Sequence, residues 1–189
     1  TDGALDITLG PVVNLWGFGP DKRPISEPTQ AQIDAAKAKM GIHELSVNGL
    51  TLTKHNADLY VDLSSIAKGF GVDKVAALLD KYHVSGYLVE IGGELNVKGT
   101  KSDNTPWRVA VEQPTSEGQA VQQIIEPGTM SLATSGDYRN FYHATAMMVL
   151  GTEASLALAK KNNLAVMLIE KQEQGYQVYY SDAFKSYLK

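Results

Sequence analysis

The chain has 189 residues, no cysteine, 43% hydrophobic and 20% charged residues, and a formal net charge of −4. That length and balance suit one globular domain with a core and exclude disorder along the whole chain. The absence of cysteine excludes disulfides, thiolate nucleophiles and Cys-based metal sites, and the acidic balance argues against broad nucleic-acid binding, which needs a basic face.

The first segment, DITLGPVVNLWGFGP, alternates apolar and polar residues before meeting Gly and Pro. It reads as a short strand or helix start followed by a turn-rich loop. A proline-containing polar run leads to Thr29, a plausible N-cap for a helix over TQAQIDAAKAKM that Gly41 closes. Residues 45–54, LSVNGLTLTK, predict a hairpin around Asn48-Gly49, a favoured type I′ turn. LYVDL (59–63) predicts a strand that passes through Ser64-Ser65 into a helix with apolar positions Val72, Val75, Ala76 and Leu79. GYLVEIGGELNVKG reads as strand, Gly-Gly break, strand; WRVAVEQP as a strand ended by proline; MSLATSGDYRNFY as a strand running into a turn. A helical stretch from Ala144 breaks at Gly151-Thr152, and LAVMLIEK and YQVYYS are two further strands before the tail. Strands and helices are interspersed with several adjacent antiparallel pairs, so the expected class is mixed α+β, with largely antiparallel sheets and packed helices. No stretch approaches the ~20 apolar residues of a membrane span.

Three junctions could carry chemistry, because small residues there expose backbone N–H groups to a ligand. In DLSSIAKGFG, Asp62 precedes two hydroxyls, either able to cap the helix, and Lys68 follows with two glycines. A helix start with hydroxyls and a lysine suits phosphate; a capped helix with a surface lysine is the equal alternative. The order of residues is not that of a Walker A loop. Gly92-Gly93 is a bulge or a place for a flat ligand, with the structural reading favoured. Glu90 and Glu94 flank it and could serve acid–base or metal chemistry, although such glutamates are more often solvated or paired. In ATSGDYRNF, Thr134 and Ser135 could contact phosphate or ribose, or satisfy a local turn. The four histidines (His43, His55, His83 and His143) are scattered without ligand spacing, and only His143 adjoins a candidate segment. No GxSxG elbow supports a hydrolase triad.

The stretches DGALDITLGPVVNLWGFGP, YVDLSSIAKGFGVDK, YLVEIGGELNVKG, WRVAVEQP and ATSGDYRNF resemble, in order and approximate spacing, the ApbE family of FAD:protein FMN transferases. The resemblance covers nearly the whole chain as a single domain, 1–189, and implies a T-fold-related architecture. It implies FAD as substrate, Mg²⁺ dependence, and attack by a target threonine on the pyrophosphate to give a flavinylated protein and AMP. An FAD pyrophosphatase using the same site is the alternative, as is a non-catalytic flavin-binding protein. Carried onto matching positions, Ala4, Leu5, Asp6, Asp62 and Lys68 contact FAD. Gly92, Gly93, Thr134 and Ser135 join them as candidate cofactor contacts. Ser65, the Ala67 carbonyl and Thr145 are the implied metal donors. His143 is the candidate catalytic residue, read either as what remains of a family histidine or as a loop residue.

The resemblance further implies a bacterial periplasmic protein, held to the inner membrane by a lipid anchor outside this chain. Its expected targets are flavoprotein subunits of redox-driven ion pumps of the NQR and RNF type. Two departures stand out. The family's region before DGALDIT is absent, and the chain opens on Thr1 inside what reads as a structured segment. A family segment is also missing between about 142 and 144, so Phe141 and Ala144 stand where acidic metal ligands are expected near Thr145. A deletion, or residues left out of this sequence, would produce such a join; the intact surrounding pattern favours the second.

Overall fold

The computed structural model describes residues 5–19, 26–114, 120–136 and 146–188. Internal contacts divide the chain into two compact units, Thr1–Ser65 and Ile66–Lys189, where the sequence reads as one domain.

In the first unit, α1 (Gly10–Leu15) carries Pro11 in its first turn, where a missing N–H leaves no partner unpaired. It packs on α2 (Gln30–Lys37). The start of α2 is written in its sequence: Thr29 and Gln32 form a reciprocal capping box, each side chain serving the other's backbone N–H. The helix ends at Lys37, earlier than the expected stop, and Gly41 (φ 132°) instead opens a 3₁₀ turn over Ile42–Glu44. Strands β1 (Leu45–Asn48) and β2 (Thr51–Lys54) form the expected hairpin, but its turn differs from the type I′ reading. Asn48 pairs with Thr51, which makes Gly49-Leu50 the turn. Only Gly49 has positive φ (58°), as in a type II′ turn; type I′ would need it at both positions.

LYVDL does not form a strand. Leu59 is buried, yet among the described residues this segment meets no ladder; the Asp62 N–H reaches across to the Ile7 carbonyl at 2.7 Å. β-branched and aromatic residues favour a strand only where a partner strand receives them.

Helix α3 (Ser64–Lys81) begins at the boundary and runs into the second unit. There β3 (Tyr87–Ile91), β4 (Glu94–Lys98) and β7 (Met130–Leu132) make an antiparallel sheet in the order β3-β4-β7. Val72 and Ala76, four residues apart on one helix face, pack against Tyr87 and Val89, two apart on one strand face. Leu79 and Val84 close the edge of this core. Two further antiparallel pairs follow: β5 (Val109–Glu112) with β6 (Val121–Ile125), and β8 (Met167–Gln172) with β9 (Gly175–Tyr180). Strand β6, VQQII, was not expected from the sequence, because two glutamines interrupt its apolar pattern. Between these pairs α4 (Ala146–Lys161) is interrupted at Gly151 (φ 75°, ψ 175°), at the predicted break. Every strand pairing among the described residues is antiparallel, as the α+β reading requires.

Candidate functional site

The candidate residues fall into two local clusters, one in each unit. In the first unit Asp6 shapes the chain around itself. Its Oδ1 accepts from the Thr8 N–H at 2.8 Å and from the Thr8 hydroxyl at 2.6 Å. Thr8 is fully buried, and its hydroxyl also accepts from the Gly41 N–H at 2.7 Å. Asp62 is joined to the same segment through the Ile7 carbonyl. Its own Oδ1 accepts from the Ser64 N–H at 2.8 Å. The expected hydroxyl cap at the start of α3 is therefore supplied by a carboxylate, which also suits the positive end of a helix dipole. Leu5 is exposed, whereas Ala4 lies outside the described residues.

In the second unit the hairpin turn between β3 and β4 organises the site. Ile91 pairs with Glu94, leaving Gly92 and Gly93 as a two-residue loop with φ of 58° and 92°. Positive φ at both positions makes this a tight I′-like turn and not the expected bulge. Lys68, one turn into α3, donates through Nζ to the Gly92 carbonyl at 2.8 Å. The same Nζ lies 3.6 Å from Glu94 Oε1. On the next peptide, the Gly93 N–H donates to Glu90 Oε1 at 2.6 Å, and the Thr134 hydroxyl donates to the Gly93 carbonyl.

Lys68, Gly92, Gly93 and Thr134, drawn from three separate stretches of chain, thus form one bonded cluster. Both flanking glutamates are paired, as their commoner reading holds. The Gly93 amide is occupied by Glu90, so it is not a free donor toward a ligand. Lys68 has three N–H donors, of which the Gly92 carbonyl takes one, with Glu94 at ion-pair distance. Ser135 follows Thr134 on an exposed stretch.

Ser65 and Ala67 lie in the first turn of α3 and are exposed. They offer a hydroxyl and a carbonyl, oxygen donors of the class that Mg²⁺ takes. Both donors are neutral, and among the described residues no three His, Asp or Glu side chains converge. The described donors therefore fall short of a complete Mg²⁺ site. Thr145 and His143, the remaining metal and catalytic candidates, lie outside the described residues.

Sequence reasoning missed Thr8 and the pairing of Glu94 with Lys68. No local signal marks Thr8, because its second partner, Gly41, is 33 residues away. From the sequence Glu94 reads as a carboxylate for acid–base or metal chemistry, or as a solvated or paired charge; the register that sets it beside Lys68 exists only once the hairpin has closed.

Comparison with known proteins places the fold and the sequence in a family. The model of the ApbE family matches residues 1–144. The chain is 42% identical to an FAD:protein FMN transferase of Vibrio cholerae, over all of this chain and 68% of the relative. That match runs over 226 aligned positions, more than the 189 residues here, so the relative carries residues within the matched span that this chain lacks. Among solved structures, the flavin transferase ApbE of Vibrio cholerae superposes with a TM-score of 0.92 at 41% identity, covering 99% of this chain and 72% of that one. The flavinyl transferase ApbE of Pseudomonas stutzeri gives 0.81 at 36% identity, covering 99% and 69%. The chain spans about two thirds of the length of the curated relatives it matches. The mixed fold of helices and antiparallel sheets is that of the flavin transferases it superposes on. The chain belongs to the ApbE family.

Proposed function

We propose that this protein transfers FMN from FAD to a threonine hydroxyl of a target flavoprotein and releases AMP. The observation that carries the proposal is identity of 42% across the whole chain to a relative named for FMN transfer from FAD to protein. The cluster around Lys68 supports it chemically.

In the reaction, the threonine oxygen attacks the phosphorus that carries the flavin. The bond from that phosphorus to the bridging oxygen breaks, and AMP leaves with the bridging oxygen. The hydroxyl proton passes to a base, for which His143 is the candidate. Phosphoryl transfer asks the protein mainly to hold the groups in line and to offset charge on the oxygens. Lys68 does the second with a cation whose direction is set by the Gly92 carbonyl. Asp6 and Asp62 each have one carboxylate oxygen committed to shaping the backbone, and present the other to polar groups of the nucleotide. Ala4, Leu5, Thr134 and Ser135 complete the proposed FAD contacts.

Mg²⁺ enters the proposal through the family resemblance, with Ser65, the Ala67 carbonyl and Thr145 as the chain's contribution. When bound, the ion would offset charge on the pyrophosphate. The described donors are incomplete, and no step above passes through it. The proposal also places the protein in the bacterial periplasm, held to the inner membrane by a lipid anchor, with subunits of NQR- and RNF-type ion pumps as targets. Among the described residues no helix is long and apolar enough to cross a membrane.

The test is incubation of the full-length protein with FAD, Mg²⁺ and a threonine-bearing target domain, read by intact mass. A gain of one FMN on the target, with AMP released, is expected. AMP release without any change in target mass would replace the transfer reading with hydrolysis, and no reaction at all would refute both.

A further inference from the structure

We infer that Glu94 is a positioning residue for Lys68, one that holds the ammonium where charge develops during transfer, at the expense of FAD affinity. The inference rests on the functional reading above and deepens it.

Lys68 is a four-carbon flexible side chain with 46% of its side chain exposed. Left alone, such a group samples many rotamers, and ordering it costs entropy. Here the Gly92 carbonyl accepts a hydrogen bond from it at 2.8 Å, and the Glu94 carboxylate stands at ion-pair distance, with Oε1 3.6 Å from Nζ. Glu94 itself is stiff. It stands at the first position of β4, paired with Ile91 across the hairpin, and its side chain is 17% exposed. Its neighbour turn is held in turn by Glu90 on the Gly93 N–H and Thr134 on the Gly93 carbonyl. The lysine is thus anchored to a rigid hairpin.

The electrostatic consequence is the unusual part. Paired with Glu94, Lys68 presents a pyrophosphate with a weakened positive field, because the carboxylate repels the same anion. A site built only to bind FAD would omit it. A site built to hold a cation in line with charge that develops during transfer gains from it, because only interactions stronger in the transition state raise turnover. A merely structural ion pair at this place predicts something different: its loss would weaken the hairpin and lower affinity and turnover together.

The experiment uses the full-length protein with Glu94→Gln and Glu94→Asp, FAD as the probe, flavin fluorescence for affinity and AMP release with a target domain for turnover. Glu94→Gln keeps shape and removes charge. FAD should bind about threefold tighter, from the loss of one nearby negative charge in a half-exposed site, while kcat falls about tenfold as the lysine loses its anchor. Glu94→Asp keeps the charge but withdraws it by one methylene, so affinity stays within about twofold while kcat again falls. Opposite movement of affinity and kcat in the Gln variant supports the inference. Weaker FAD binding, or unchanged kcat, overturns it. If the Gln variant does not fold, the Asp variant decides: reduced kcat at retained affinity supports the inference, and parallel loss of both overturns it. Failure of the unmodified protein to take up FAD refutes the functional reading itself, and the inference with it; uptake by the unmodified protein with the wrong response in the variants refutes the inference alone.

Discussion

Replacing Gly92 by alanine tests whether the double-glycine turn is a binding device as well as a hairpin. Two costs are separable. At φ 58° an L-residue sits in the left-handed region, which costs about 1–2 kcal/mol. In addition, the new Cβ would lie 2.9 Å from Lys68 Cδ, so the lysine stem must shift while its Nζ is bonded to the Gly92 carbonyl. Gly49 provides the control. It has the same φ of 58°, in the β1–β2 turn, and nothing lies within 4 Å of an added Cβ. Gly49→Ala should therefore lose only the backbone term, about 1–2 kcal/mol, and leave FAD binding unchanged. Gly92→Ala should lose that amount and weaken FAD binding by about tenfold, the equivalent of about 1.4 kcal/mol, because the new Cβ displaces the lysine stem and its charge, whereas Glu94→Gln leaves that charge on the Gly92 carbonyl. Urea denaturation gives the first quantity, through the midpoint at constant slope, and a flavin fluorescence titration gives the second. If Gly92→Ala binds FAD as tightly as the unmodified protein, Lys68 is not aimed by this turn, and the account of the site is wrong.

Thr8→Val keeps the volume and removes the hydroxyl, leaving the Gly41 N–H without its acceptor and Asp6 without one of its donors; a loss of about 1–3 kcal/mol in denaturant unfolding is expected. Val72→Ala opens a cavity under β3 in the α3 core and should cost about 2 kcal/mol, read the same way. Asp80→Asn addresses pH. A hydrogen bond from Lys98 lowers the Asp80 carboxyl below its ordinary 3.8, and the same bond raises Lys98 above 10.5. The carboxylate therefore stabilises the fold above pH 3.8, and that contribution disappears as pH falls through its lowered folded value. The ammonium stabilises below pH 10.5, and its contribution disappears as pH rises through the raised folded value. The stability difference between the unmodified protein and Asp80→Asn should thus be widest near neutral pH and close at both extremes; a difference that stays constant across a pH series of melting curves would refute this.

Several features were legible in the order of residues alone. Thr29 with Gln32 specifies the start of α2, and Gly151 the break in α4, because caps and breaks act over a few neighbouring residues. The Gly-bearing hairpins were legible for the same reason, though not their turn types, which depend on which residues pair: the register in β1–β2 moved the turn to Gly49-Leu50. The motifs also pointed to the family, since long stretches in a set order carry that signal without any coordinates. Folding alone decided the rest. LYVDL has the composition of a strand, but among the described residues no partner strand meets it. Lys68 meets Gly92 across 24 residues, Thr134 meets Gly93 across 41, and Thr8 meets Gly41 across 33. None of these pairs leaves a periodic trace, because hydrophobic patterning reports which face of an element is buried and not which distant polar group awaits it there. The roles of Glu90 and Glu94 were undecided for the same reason: a carboxylate beside a glycine pair becomes a clamp or a solvated charge only when the turn closes and brings an amide and an ammonium within reach.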